Sequence, residues 1–132
     1  QVEVDFADNA KMVLAETKGL RVVFRNLLDN AIRHSPVGGK ILVQAGLYKG
    51  NVRFCVRDEG PGIPKDQRER VFERFYRLPG ADQSDPEGSG LGLAICRQTV
   101  GRFGGDIWVD SPPKIMDHGA EFCFTLRPAQ NI

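Results

Sequence analysis

The chain has 132 residues, 41% hydrophobic and 27% charged, and its 18 Lys and Arg against 17 Asp and Glu leave a formal net charge of +1. That is enough chain for one domain and too little for two, with no surplus of positive charge to hold nucleic acid or a lipid surface. No apolar run approaches the roughly 18 residues that cross a bilayer, and no signal-type succession opens the chain. Gln1 stands where a start methionine would, so a piece of a longer polypeptide is expected.

Val2, Val4 and Phe6 alternate with Glu3 and Asp5 as a half-buried strand does, and Met12 to Ala15 reads as a second short one. From Thr17, an N-cap residue type, Leu20, Val23, Phe24, Leu27, Leu28 and Ala31 recur at helical spacing until Pro36 and Gly38-Gly39 stop the pattern. Two β-rich runs follow, Ile41 to Tyr48 and Val52 to Asp58, joined by a hairpin signal at Lys49-Gly50-Asn51. Gly60, Pro61, Gly62 and Pro64 then form a rigid turn before a short amphipathic helix carrying Val71, Phe72 and Phe75. Leu78 to Ser89 hold almost nothing apolar, which predicts a mobile loop of the kind that serves as a lid. Leu91 to Phe103 resume a helical pattern up to Gly104-Gly105, and Ile107 to Val109 and Glu121 to Leu126 close the chain as strands, with a turn at Pro112-Pro113 between them.

Cys55, Cys96 and Cys123 are odd in number, widely spaced and set in apolar stretches. The pattern offers neither a disulfide framework nor a zinc knuckle, and it predicts buried filler in a protein of the reducing cytoplasm.

Three places could carry chemistry. On a helical wheel Asn26, Asn30 and Arg33 fall within an arc of roughly 60° beside the apolar stripe. Asn is a poor helix former and a buried amide needs a partner. A solvent-facing flank is the plainer account of one such Asn; two amides four residues apart suit a hard divalent cation, with Arg33 for a phosphate. Asp58 ends a strand just before bare backbone at Gly60 and Gly62, where a carboxylate can accept from an exocyclic amine, although Asp-Glu-Gly-Pro-Gly is also an ordinary turn composition. Gly88-Ser89-Gly90-Leu91-Gly92-Leu93 opens the later helix and leaves backbone N–H groups free for an anion. It matches neither the Walker loop nor the dinucleotide fingerprint.

Asn26-Leu27-Leu28-Asp29-Asn30-Ala31-Ile32-Arg33-His34-Ser35, Asp58-Glu59-Gly60-Pro61-Gly62-Ile63-Pro64, Val71-Phe72-Glu73-Arg74-Phe75-Tyr76-Arg77 and Gly88 through Ile95 look like the N, G1, F and G2 boxes of bacterial sensor histidine kinases, in order. The resemblance covers essentially the whole chain, as one catalytic and ATP-binding domain over 1–132 with a lid at about 76–90. It implies an α/β two-layer sandwich, a mixed and mostly antiparallel sheet of about five strands with three helices on one face.

The same resemblance implies that Asn30, assisted by Asn26, coordinates a magnesium ion bridging ATP phosphates. Asp58 accepts the adenine amine, and Gly60, Gly62 and Ile63 shape that pocket. Arg33 contacts phosphate, His34 borders the purine, and Arg74 and Arg77 reach phosphate from the lid side while Phe72 and Phe75 anchor the lid by packing. Gly88, Ser89, Gly90, Leu91 and Gly92 cradle phosphates. Relatives that hydrolyse ATP carry Glu at the position of Asn26; an amide cannot activate water, so transfer to a supplied histidine is expected instead of fast hydrolysis. Neither His34 nor His118 stands in the pattern of a phosphorylated helix, so the acceptor is expected on a separate dimerisation domain and the next recipient on a response regulator receiver domain. The fragment itself is expected to be a cytoplasmic monomer without membrane or nucleic-acid contact, from a parent anchored in the inner membrane. An ATP-responsive binding module without transfer and a serine kinase of the anti-sigma type are the alternatives.

Overall fold

The computed structural model describes residues 2–6, 17–76, 91–112 and 118–128. Five strands, β1 (Val2–Phe6), β2 (Ile41–Tyr48), β3 (Asn51–Asp58), β4 (Ile107–Asp110) and β5 (Ala120–Leu126), form one sheet in the order β1-β2-β3-β5-β4. β1 runs parallel to β2 and the other neighbours are antiparallel, so the sheet is mixed and mostly antiparallel, as expected. The β2–β3 hairpin closes at Lys49 and Gly50 with φ of 50° and 84°, the pair of left-handed residues that a two-residue turn matching strand twist requires.

Alternation decides the faces. Val52, Phe54 and Val56 of β3 lie opposite Leu126, Phe124 and Phe122 of β5, and all six are buried against the helix layer. Two helices make most of that layer, α1 (Thr17–His34) and α2 (Gly92–Arg102). α1 presents Val23, Leu27 and Ala31, four residues apart, as its buried stripe. Phe24 from the same helix meets Phe54 and Phe124 edge-on at ring-centroid distances of 5.5 and 5.3 Å, while Phe54 and Phe124 stack at 5.1 Å. α1 and α2 approach so closely that a Cβ at Gly19 would stand 2.8 Å from the Phe103 ring. Phe124 is fully buried at the centre of this cluster; Phe124→Ala is expected to destabilise the fold by about 3–5 kcal/mol, read from the denaturant midpoint.

The remaining helical segment differs from the expected amphipathic helix. It forms two 3-10 turns, Lys65–Gln67 and Arg70–Phe72, because extended backbone at Pro64 and Glu73 (ψ 145° at each) bounds it on both sides. Val71 and Phe72 are buried in the core as the pattern predicts, but Phe75 is not an anchor: it is 70% exposed, in a left-handed conformation at φ 65°. The strand expected at Met12 to Ala15 and the loop expected from Leu78 to Ser89 lie outside the described residues.

On the sheet face away from the helices the reading of the cysteines is corrected. Cys55 and Cys123, 68 residues apart in sequence, are direct partners across β3 and β5 and are joined as a disulfide. This removes the cysteine argument for a reducing compartment. Beside them Arg57 pairs with Glu121 at 2.9 Å. Cys96 does behave as buried filler: its thiol faces the Val23 carbonyl at 3.6 Å and burial pushes its pKa up to about 12. No helix among the described residues is long and apolar enough to cross a membrane.

Candidate functional site

One flank of α1 connects two other parts of the fold. At its middle, the Asn26 side-chain amide donates to the Val22 carbonyl one turn earlier at 3.0 Å, which fixes the amide and turns Oδ1 towards α2. A Cβ on Gly92, the first residue of α2, would stand 3.0 Å from that oxygen. The expected N and G2 motifs therefore meet here, through a glycine with little room for a side chain.

At its end, α1 meets the turn after β3. The His34 carbonyl would lie 2.5 Å from a Cβ on Gly60, so the backbone passes where only glycine fits. The Gly60 N–H donates to Asp58 Oδ1 at 2.9 Å. Asp58 is 2% exposed at the end of β3, opposite Ala120. Burial raises its pKa above the ordinary carboxylate range, opposed by the Gly60 N–H, the nearby His34 and the Ala120 N–H. Desolvation lowers the pKa of His34, against the pull of the Asp58 charge and with a further push from Arg33. Burial thus disfavours the charged form of both groups, the carboxylate of Asp58 and the imidazolium of His34. The hydroxyl of Ser35, next in the chain, is buried with no hydrogen-bond partner among the described residues.

Asn30 is half-buried one turn after Asn26 on the same flank, and Arg33 is exposed in the last turn. Gly62 adopts φ 88° and would bring a Cβ within 2.7 Å of Ser111 Oγ. Ile63, half-buried, donates its N–H to that oxygen at 2.8 Å. Leu91 leads into α2, where its carbonyl accepts from the Ile95 N–H at 2.9 Å. Arg74 is exposed just past the second 3-10 turn, and no described contact joins it to the flank. Arg77, Gly88, Ser89 and Gly90 lie outside the described residues.

Sequence reasoning missed two residues that build this end of the site. Ser111 holds the glycine turn, and Glu59 Oε1 accepts the Lys40 N–H at 2.6 Å, which ties the turn to the start of β2. Neither carries a signal in the sequence, since a serine before two prolines and an acid inside a turn are ordinary compositions. Among the described residues one cluster has metal-ligand proximity, Cys55, Glu121 and Cys123, but its sulfurs are joined to each other and its carboxylate is paired with Arg57.

Comparison with known proteins agrees with this geometry. Residues 15–130 match the histidine kinase-, DNA gyrase B- and HSP90-like ATPase family. The adaptive-response sensory kinase SasA of Nostoc sp. is 44% identical over 128 residues, 96% of this chain and 30% of that protein, and SasA of Synechocystis sp. is 41% identical over 95% of this chain and 32% of its own length. The chain thus spans about a third of the curated relatives it matches. Among solved structures, the mycobacterial sensor histidine kinase MprB superposes with a TM-score of 0.80 at 36% identity, covering 97% of this chain and 84% of that one. Full-length ShkA, solved with AMPPNP, superposes at 0.76 and 32% identity over 98% of this chain and 26% of its own. The inner-membrane anchor expected of a parent protein is not borne out by these relatives. With Gly92 of α2 set against Asn26 and the Asp58–Gly60 turn against the His34 end of the same helix, and with matches of this extent, the chain belongs to the histidine kinase-, DNA gyrase B- and HSP90-like ATPase family and is homologous to sensor histidine kinase catalytic domains.

Proposed function

We infer that this domain binds ATP with magnesium and passes the γ-phosphoryl group to a histidine on a separate dimerisation domain, for onward transfer to a response regulator. The observation that carries this is the α1 flank itself, which touches the α2 entry at Asn26 and the Asp58–Gly60 turn at His34. The two contacts are eight residues apart, about 12 Å along a helix, a separation suited to a purine at one end and phosphates at the other.

The donor set fits the ligands. Asp58 presents a buried carboxylate to an exocyclic amine, and the Ser35 hydroxyl, without a partner among the described residues, lies at the same end. Asn26 Oδ1, on an amide whose Nδ2 donates to the Val22 carbonyl, and the Asn30 amide oxygen are neutral oxygen donors of the kind magnesium accepts while retaining water. Bound there, the metal would neutralise charge developing on the phosphates. Arg33 supplies fixed positive charge, and the absence of a carboxylate at Asn26 withholds a base from water. In the transfer an imidazole nitrogen bonds to the γ-phosphorus as its bond to the bridging oxygen breaks, ADP leaves with that oxygen, and the proton on the other ring nitrogen passes to solvent water. The domain accordingly works on the cytoplasmic side, where ATP and receiver domains meet it.

Mixing the fragment with γ-labelled ATP and a separately expressed histidine-bearing helical domain tests this. Acid-labile label on the helical domain is expected, at a rate that collapses when magnesium is chelated. ATP binding without any labelling would instead identify an ATP-responsive binding module, and an acid-stable product a serine kinase.

A further inference from the structure

The hydroxyl of Ser111, just past the end of β4, joins two segments that enclose Asp58. It accepts the Ile63 N–H at 2.8 Å and donates to the Gly119 carbonyl at 2.7 Å. Ile63 ends the glycine turn that begins beside Asp58, and Gly119 directly precedes Ala120, whose N–H serves the Asp58 carboxylate. Ser111 is 5% exposed, so water cannot replace either bond cheaply. Its seat is narrow, since Gly62 at φ 88° would put a Cβ 2.7 Å from the hydroxyl oxygen. The guanidinium of Arg68, from the first 3-10 region, donates to the Ser111 carbonyl and holds the serine from the far side.

We propose that Ser111 is a positioning residue for purine selection: its hydroxyl sets the glycine turn and the start of β5 at a fixed separation around Asp58, and so decides how well an adenine amine meets that carboxylate. This rests on the nucleotide reading above. The role is confined to the base. The Asn26–Gly92 contact lies at the middle of α1, about two turns from its His34 end, and shares no residue with the Ser111 bonds, so phosphate and metal binding are left intact.

The test is a titration of ATP and GTP into the wild-type domain, Ser111→Ala and Ser111→Thr, with melting curves for each. Ser111→Ala is expected to weaken ATP about tenfold and to leave GTP unchanged, which narrows purine discrimination by the same factor. Ser111→Thr, which keeps the hydroxyl, is expected to restore discrimination to within about threefold of wild type. Where Ser111→Ala melts without a cooperative transition, Ser111→Cys, which fills the space with a weak hydrogen-bonding group, takes its place. Equal loss of ATP and GTP, or full discrimination surviving in the variant that lacks the hydroxyl, overturns the proposal. A wild-type protein with no preference for ATP overturns the nucleotide reading itself, so the two failures are distinguishable.

Discussion

Asp58→Asn is expected to lose ATP affinity by about 100-fold while melting at the same temperature as wild type or higher. The loss follows from exchanging an acceptor for a donor: a hydrogen bond to a buried charged group contributes about 1.5–3 kcal/mol, and an amide N–H facing an adenine amine adds a mismatch. The stability follows from linkage. Burial holds the Asp58 pKa above the ordinary carboxylate range, so the folded protein keeps this proton to higher pH than the unfolded chain. Stability is then lost as pH rises through the window between those two values. Asn at this position carries no charge and escapes it, so the difference in melting temperature should shrink as pH falls below the window. Calorimetric titration with ATP and thermal melts at pH 7 and at mildly acid pH check both halves. Unchanged affinity would remove Asp58 from the adenine assignment.

The second large effect is at Asn30. Asn30→Ala is expected to lower phosphotransfer by about 100-fold, with a loss of ATP affinity that is seen only when magnesium is present. The helix itself should gain, because Ala exceeds Asn in helix propensity by about half a kcal/mol. A variant that is more stable yet inactive separates a ligand role from a folding role. Titrating ATP with and without magnesium, beside a melt, makes the comparison. An equal loss of affinity in both conditions would place Asn30 on the nucleotide and not on the metal.

Local patterns carried a large part of this architecture. The periodicity from Leu20 to Ala31 and the alternation in Val52, Phe54 and Val56 are properties of short windows, and α1, the β2–β3 hairpin, α2 and β5 follow from them. The Lys49-Gly50 turn was equally legible because its backbone demands are written in two residues. What escaped depends on register between distant segments. Cys55 and Cys123 become partners only once β5 is set beside β3 with Phe54 opposite Phe124, and nothing within either strand announces that pairing. Ser111 is likewise ordinary until folding brings Ile63 and Gly119 to it. The segment from Lys65 to Phe72 misled for a local reason: apolar spacing predicts a helix, but extended backbone on either side leaves too few residues for one. The asparagines of the flank were visible as an anomaly, two poor helix formers in a good helix, and Asp58 became informative only in company with them.

The strand order has a consequence for biosynthesis. β5 is the last of the five described strands in chain order, yet it sits inside the sheet between β3 and β4. Until it leaves the ribosome, β3 presents an open, strongly apolar edge from Val52 to Val56, the sort of template that recruits other chains. This sheet thus cannot be finished piecemeal and stays exposed to aggregation until β5 inserts. Chaperone dependence during translation should accordingly end abruptly, when that strand emerges.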